Sequence, residues 1–376
     1  MDYKMVKLGT VISQAKNIRC GEHNYPVLSM TMHDGLIFQD DKFKKVIASA
    51  NRSEYKVVYR NQLVVSFPID EGVLAAQRIT DVGIVSPAYT IWDIDQAKIL
   101  PEFLEYALRC DRSINYYKAK LRGSTARRRS LPTPTLLEHT IPLPAIDAQR
   151  YILEIIHKSR NVLETRKIQL QKLDMLVRAR FVEMFGDENN SKNWNVVNVE
   201  DVADVQVGVV IKPSQYYTDD SEGVRAFRSL NIGAGFIKDI DWVYFTKEGH
   251  LKNSKSILKE NDLLIVRSGA PGTACVVTEE YAGCNAVDII IAHPDCEKVN
   301  PYYLCTFTNM PHGKKQIDEG IGGAAQQHFN VGKYNKLQLM LPPKTLQDEF
   351  GDFINQVDKS KLQYHPHTHT CQPNTS

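Results

Sequence analysis

The feature that most constrains this chain is an internal repeat, because a duplicated segment folds into two similar units. The segment YRNQLVVSF, Tyr59 to Phe67, aligns with KENDLLIVRSG, Lys259 to Gly269. Further along, ILPEFLEYAL from Ile99 aligns with VNPYYLCTFT from Val299, so both pairs share the offset of 200 positions. The sequence therefore predicts a tandem duplication, in which each unit is a globular domain followed by a helix.

Local signals within the aligned segments predict the fold class of each unit. Asn61 and Asn261 form polar turns, and the runs of β-branched and aliphatic residues that follow are typical of strands buried on both faces. Pro101 and Pro301 stand where short amphipathic helices begin. We therefore expect an α+β fold, with two repeated domains of mixed strands and helices joined by long coiled-coil spacer helices.

The segment between the repeats reads as one long helix. Apolar residues recur at alternating steps of three and four, at Ile152, Ile156, Leu163, Leu170, Leu173, Val177 and Met184. Asp147 stands at the expected N-cap, and Gly186 follows the last apolar residue as a stop. A helix of this length spans about 57 Å, longer than a small domain is wide. It is predicted to be a spacer; the alternative is a helix folded onto one domain's core.

A Leu-Pro stub followed by an apolar-periodic helical run recurs near the C-terminus, but the second run is shorter. After the stub LMLPP, the run KTLQDEFGDFINQVDKSKL is again periodic, whereas QYHPHTHTCQPNTS has no apolar stripe. A truncation or frame change explains this ending most economically. The tail residues His365, His367, His369 and Cys371 resemble a metal cluster in composition, but their alternate spacing favours an extended disordered segment.

These signals divide the chain into five predicted parts. They are a first globular domain, a central spacer helix, a second globular domain, a shortened second spacer helix and a disordered tail, at 1–146, 147–186, 187–343, 344–362 and 363–376.

Composition excludes several classes of protein. The N-terminus lacks the order of a signal peptide, and the longest aliphatic runs are too short to span a bilayer, so a cytoplasmic location is expected. The seven cysteines include no CxxC pair, which favours reduced thiols over a zinc site. The net charge of +2 does not decide for or against nucleic acid, because a binding footprint can be local.

The layout resembles the specificity subunit of type I restriction–modification systems. GSTARRRSLPTPTLLEHTIPLPAIDAQRYI resembles that family's junction between the first recognition domain and the central helix, and FNVGKYNKLQLMLPPKTLQDEF resembles the second junction. The resemblance implies that the domains at 1–146 and 187–343 are target-recognition domains. It also implies two antiparallel helices that hold these domains apart and serve as docking surface for modification subunits. The shortened second helix departs from that pattern.

Motifs for catalysis are missing from the sequence. There is no Gly-rich loop ending in Gly-Lys-Ser/Thr, and no Asn/Asp-Pro-Pro-Tyr cluster for methylation of a base. NIGAGFI, Asn231 to Ile237, contains Gly-x-Gly but no third glycine, so it is predicted to be a turn. We therefore expect a non-catalytic subunit that binds no cofactor itself.

Basic residues are concentrated between Arg109 and Arg129, where one acid, Asp111, faces eight cations. The candidate DNA-binding residues of this segment are Arg109, Arg112, Lys118, Lys120, Arg122, Ser124, Thr125, Arg127, Arg128 and Arg129. Arginines bind phosphates or guanine, and glutamines can read adenine. Second-unit candidates are Arg225, Arg228, Arg267, Lys314, Lys315, Gln326 and Gln327. The alternative for the basic segment is a solvated face.

The expected function is recognition of a bipartite DNA site on behalf of partner subunits. The resemblance implies methyltransferase subunits that use S-adenosylmethionine, and restriction subunits that use ATP and Mg²⁺. The alternative is a truncated scaffold or regulatory variant that binds partners without reading DNA.

Overall fold

The computed structural model describes residues 3–32, 34–42, 52–121, 131–220, 222–321 and 329–362. The chain divides into two compact units, unit 1 at residues 1–164 and unit 2 at residues 165–376. Strands and helices occur in both units, as the repeat predicts.

Unit 1 is built on a four-stranded antiparallel sheet with the order β2-β9-β6-β7, flanked by the pairs β1–β10, β3–β4 and β5–β8. Its strands are β1 (Lys4–Lys7), β2 (Ile12–Gln14), β3 (Leu28–Thr31), β4 (Gly35–Phe38), β5 (Lys56–Tyr59), β6 (Leu63–Val65), β7 (Leu74–Ala76), β8 (Val82–Val85), β9 (Thr90–Ile94) and β10 (Thr140–Leu143). Its helices are α1 (Gln39–Lys42), α2 (Pro101–Arg109), α3 (Asp111–Lys120), α4 (Thr133–Glu138) and the first part of α5 (Ile146–Phe185).

Unit 2 repeats this plan and adds a second four-stranded sheet. Its strands are β11 (Asn195–Asn198), β12 (Ala203–Val207), β13 (Tyr217–Thr218), β14 (Val224–Phe227), β15 (Val243–Phe245), β16 (Leu263–Val266), β17 (Ala274–Val276), β18 (Asn285–Ala286), β19 (Ile289–Pro294) and β20 (Gln338–Leu341). Its helices, after the end of α5, are α6 (Lys247–Lys252), α7 (Pro301–Asn309), α8 (Pro311–Ile321), α9 (Val331–Asn335) and α10 (Lys344–Leu362). The order β12-β19-β16-β17 matches β2-β9-β6-β7, and the pair β11–β20 matches β1–β10, which confirms the predicted duplication.

The central strand of each main sheet is buried on both faces. In β16, Leu263 and Ile265 belong to the core formed with α7, whereas Leu264 and Val266 belong to a second core on the opposite face. Side chains alternate across a strand, so one short run of aliphatic residues fills both cores. The same alternation occurs in β6.

The turns before these two strands repeat a backbone conformation. Asn61 has φ +68° and Asn261 has φ +73°, both in the left-handed region that asparagine tolerates better than most residues. The polar turns predicted at both positions are therefore present, and they are conformationally equivalent.

A buried glutamine fixes the start of the long helix in each unit. The side chain of Gln149 accepts from Leu100 N (2.8 Å) and donates to the carbonyls of Lys98 and Pro144 (2.9 Å each). Gln347 repeats this arrangement by accepting from Asn300 N (2.9 Å) and donating to Pro342 O (2.8 Å). Each glutamine thus ties the helix start to the loop before α2 or α7.

Helix α5 is the longest element, with 40 residues, and it spans about 60 Å. It begins at Ile146, so the expectation of an N-cap at Asp147 was wrong: Asp147 lies in the first turn, where its carboxylate accepts from Arg150 (3.1 Å). Gly186 ends the helix with φ +89°, as predicted. The boundary between the units falls within the helix, after Glu164.

The two ends of α5 join different cores. Leu153 packs in the core of unit 1, while Phe181 and Phe185 pack in the core of unit 2. Within unit 2, Phe350 of α10 contacts Phe181 and Phe185, and Lys361 Nζ lies 3.0 Å from Asp174 Oδ1. The chain positions run in opposite directions, so α10 packs antiparallel to the end of α5.

Candidate nucleic-acid interface

In both units a helix pair leads to the Gly-containing segment that the sequence singled out. Helices α3 and α8 end just before residues 122–130 and 322–328. Those segments lie outside the described residues, and with them the candidates Arg122, Ser124, Thr125, Arg127, Arg128, Arg129, Gln326 and Gln327. The tail histidines also lie outside the described residues.

The helix before each segment rests on the turn between two strands of the main sheet. In unit 1, Gly72 has φ +75°, and a Cβ there would lie 3.4 Å from Cδ1 of Ile114 in α3. In unit 2, Gly272 has φ +71°, and a Cβ would lie 2.4 Å from Cδ1 of Ile317 in α8. Glycine is needed at Gly272 for both its conformation and this close approach.

The basic candidates of unit 1 fall into engaged and free groups. Arg109 donates to Glu105 Oε1 (3.3 Å) and to Met32 O (2.6 Å), which ties α2 to the β3–β4 turn. Arg112 is exposed and reaches Thr140 Oγ1 (3.4 Å). Lys118 and Lys120 are exposed in the last turns of α3 and pair with no acid among the described residues. Among the described candidates of unit 1, Lys118 and Lys120 therefore remain available to solvent.

The three candidate arginines of unit 2, at positions 225, 228 and 267, make contacts within that unit. Arg225 Cζ lies 5.7 Å from the ring centroid of Trp242 and 6.0 Å from that of Tyr281. Arg228 pairs with Asp241 (3.1 Å to Oδ2). Another ion pair joins Arg267 to Asp288, and Arg267 Nε also donates to Phe329 O (3.3 Å).

Of the two lysines of α8, one is bound within the unit and the other is exposed to solvent. Lys314 Nζ donates to Pro271 O (2.9 Å), and burial lowers the pKa of Lys314. Lys315 is exposed and has no ion pair within the described ranges. Lys314 therefore fastens α8 to the β16–β17 turn, while Lys315 remains available to solvent.

A buried polar set beneath α3 was not predicted from the sequence. Ser113 Oγ donates to Ala107 O (2.6 Å), so it accepts from His139 Nε2 (2.8 Å). The Tyr116 ring stacks on His139 at 4.4 Å, and burial, followed by the Arg112 charge, lowers the pKa of His139 to about 4. A lone histidine before a strand gives little signal, because its partners come from another element.

The NIGAGFI segment is a turn, as predicted, and it forms one wall of a depression in unit 2. Gly233 N donates to Phe236 O (2.8 Å) and Gly235 N donates to Ala274 O (2.8 Å). The depression, of about 380 Å³, lies between this turn and residues 268–273, which follow β16. Its lining includes Phe236, Lys238 and Gly269. Sequence reasoning missed this site because its walls lie far apart along the chain.

The described parts of the chain contain neither a helix suited to a membrane nor a cluster of metal-ligating side chains. No described helix is long and apolar enough to cross a membrane. Within the same residues, no group of three or more His, Cys, Asp or Glu side chains could hold a metal ion.

Comparisons with known proteins bear on this fold. Residues 191–367 match the family model of the Type I restriction modification DNA specificity domain. The Type I restriction enzyme MjaVIII specificity subunit of Methanocaldococcus jannaschii is 27% identical over 241 residues. That match spans 58% of this chain and 55%, about half, of the relative.

Solved structures extend the likeness over nearly the whole chain. The S subunit of a type I restriction–modification system from M. genitalium has a TM-score of 0.58 at 15% identity, covering 96% of this chain and 91% of that one. A chain from a type I R-M system solved for its complex assembly and conformational transition has a TM-score of 0.54 at 15% identity, covering 96% and 92%. At this identity the structures establish the fold alone. Together with the sequence matches, they confirm the predicted resemblance to type I restriction–modification specificity subunits, and residues 191–367 are the part that matches the model of the DNA specificity domain.

Proposed function

We propose that this chain is a non-catalytic subunit that recognises a bipartite double-stranded DNA site, each unit reading one half. The observation that carries the proposal is the duplication of one arrangement: a helix fixed on a β-turn leads into a Gly-containing segment, which is basic in unit 1 and rich in Gly and Gln in unit 2. Such segments suit phosphate contacts and base contacts, respectively.

Catalysis is assigned to partner subunits. The partners are methyltransferase subunits that use S-adenosylmethionine and restriction subunits that use ATP and Mg²⁺; this chain itself uses no cofactor. The sequence offers no motif for nucleotide, methyl donor or metal in support of any other assignment. The purified chain should therefore neither methylate nor cleave DNA until those subunits are added, and robust methyl transfer by the isolated chain would contradict the assignment.

The methylome of the host tests recognition directly. Strains with and without this gene are compared for methylated bases across the genome. The proposal expects a split motif, two short specified blocks separated by unspecified bases, that disappears with the gene. Complementation by the intact gene is the control, and identical methylomes in the two strains would sink the proposal.

A scaffold that binds partners without reading DNA is the second candidate. It is favoured by the apolar side chains exposed along α5, including Val162 (57%), Leu163 (70%) and Met175 (68%). The two functions differ in their effect on the partner complex. If the chain is a scaffold, replacing the loops of either unit leaves the methylated DNA sequence unchanged while the complex still forms. If the chain is a recognition subunit, the same replacement changes the methylated DNA sequence.

A further inference from the structure

The depression in unit 2 combines a free cation, open backbone amides and an exposed aromatic ring. Lys238 is half-buried, and its Nζ forms no hydrogen bond or ion pair with a described residue. Across the depression, the amide N–H groups of Gly269 and Ala270 donate to no described acceptor. Gly269 has φ +85°, with no heavy atom within 4 Å of the position of a Cβ, so a ligand can approach the backbone closely.

The aromatic ring stands beside these donors. Phe236 is 53% exposed, and its ring lies over Gly233, where a Cβ would come within 2.5 Å of it. The ring therefore packs on the Gly233 backbone at the rim of the depression. A fixed apolar surface next to a cation and two amides matches a deoxyribose with its phosphate.

The depression is also joined to the candidate interface. Residues 268–273 are held to α8 by the bond from Lys314 to Pro271 O (2.9 Å) and by the contact of Gly272 with Ile317. Phe329 N donates to Arg267 O (3.1 Å), so the chain that leaves 322–328 pairs with the residue just before Ser268. One set of contacts therefore positions both the depression and the ends of that segment.

The described residues of unit 1 do not reproduce this site. Leu36 and Phe38 stand 200 positions before Phe236 and Lys238, and Leu36 is buried. The corresponding β6–β7 turn carries Asp70 and Glu71, whose carboxylates would repel a phosphate. The feature thus belongs to unit 2, whose own 322–328 segment contains no arginine or lysine.

We propose, on the basis of the proposed function, that this depression binds one sugar–phosphate of the DNA backbone. Lys238 and the amides of Gly269 and Ala270 hold the phosphate, and Phe236 packs against the adjoining deoxyribose. The contact is independent of base sequence and positions unit 2 on the duplex. In unit 1, the basic segment performs that role.

The test measures binding of the full-length chain to a fluorescent duplex of randomised sequence over a range of salt concentrations. Lys238→Ala should weaken binding and reduce the slope of log K against log salt by about 0.9, the value for one phosphate contact. Lys238→Arg should keep the slope. The matched control is Lys255→Ala, an exposed lysine elsewhere in unit 2.

A second pair of variants tests the ring. Phe236→Ala should weaken binding with the slope unchanged, whereas Leu251→Ala, which removes another exposed apolar side chain of unit 2 (72% exposed), should not. Circular dichroism verifies that each variant is folded. If the parent binds and Lys238→Ala and Phe236→Ala bind like their controls, the depression is no phosphate site and the inference alone fails. If the parent binds the duplex neither alone nor together with methyltransferase subunits, the proposed function fails and the inference with it.

Discussion

At the scale of single residues, the cations differ in whether the fold already uses them. Arg109, Arg228 and Arg267 bind acids or carbonyls within their own unit, and a DNA contact would have to share or break those bonds. Lys118 and Lys120 carry no such cost. Affinity for DNA in unit 1 should therefore depend mainly on the free lysines and on the arginines of residues 122–130.

Replacing Arg127, Arg128 and Arg129 together by Ala tests this dependence. Each phosphate contact contributes about 0.9 to the slope of log affinity against log salt, so the slope should fall by up to about 3 and binding should weaken. The measurement is duplex binding over a salt series. If one of these arginines reads guanine instead, its single substitution relaxes preference at one base pair, at a cost of about 1 to 3 kcal/mol.

The control removes equal charge elsewhere. Lys158, Lys167 and Lys172 are exposed on α5, and their replacement by Ala leaves the helix intact. This triple variant should keep the parent's slope in the isolated chain. Equal slopes for the two triple variants would show that the Arg127–Arg129 run is only a solvated face.

His139 makes unit 1 sensitive to acid. Its pKa is near 6.5 in an unfolded chain and about 4 in the folded one, so the unfolded state binds more protons between these values. Stability should fall as the pH drops from about 6.5 towards 4. His139→Gln keeps an N–H donor for Ser113 Oγ but does not titrate, so its thermal unfolding should change less over that range. The same acid sensitivity in both proteins would rule out His139 as a cause.

These residue-level results show where sequence reasoning works and where it does not. The run of basic residues near Arg109 was evident from the sequence, but the ion pair of Arg109 was not, because Glu105 becomes its partner only once α2 forms. Arg267 meets Asp288 only because β16 pairs with β19. Tertiary pairing decides which cations remain free, and no local pattern carries that information.

At the scale of elements, the long helix was predictable and its surroundings were not. The apolar period and Gly186 gave its extent to within a residue, because both depend on local geometry. The depression between the Phe236 turn and residues 268–273 depends on the packing of α8 against a distant turn. Its Gly-x-Gly was correctly interpreted as a turn, but nothing nearby in sequence indicated the opposite wall.

If α5 sets the spacing between the two recognition sites, its length should control the gap in the DNA site. Inserting four residues near Gln169 lengthens the helix by about 6 Å and rotates one end by about 40°. Because DNA advances about 3.4 Å per base pair, the unspecified gap should grow by one or two base pairs. If the helix instead belongs to the core of one domain, the insertion should unfold that domain and produce no new gap length in the DNA site. The measurement is a binding selection on parent and insertion variant, and an unchanged gap shows that the helix is no ruler.

The exposed face of α5 should be covered in the assembled complex. Leu163 (70% exposed) and Met175 (68% exposed) would each leave a large apolar side chain in water. A second copy or a modification subunit is expected to cover them. The double variant Leu163→Glu, Met175→Glu should abolish association with a second copy or with the modification subunit, measured by sedimentation. The control Thr165→Glu, at an exposed polar position, should leave that association unchanged. A strictly monomeric, non-aggregating parent whose face is protected from hydrogen exchange would contradict this.

At the scale of the whole molecule, two units share one topology but differ in how they are equipped. In sequence, unit 1 combines a basic segment at 122–130 with an acidic β6–β7 turn, while unit 2 combines a Gly- and Gln-rich segment at 322–328 with a neutral β16–β17 turn and the free Lys238. The duplication was predictable because both copies retain the same strand and turn patterns. The different surfaces explain how one fold, used twice, could read two unlike half-sites.

The most direct measurement is a selection from a randomised duplex library, made with the full-length chain and a methyltransferase partner. We expect the selected duplexes to share two short specified blocks at a fixed separation. Replacing residues 122–130 by a copy of residues 322–328 should alter the block read by unit 1. The other block and the gap should stay unchanged. A single continuous motif, or enrichment of no motif while the partner complex forms, would contradict the claim that each unit reads half of a divided site.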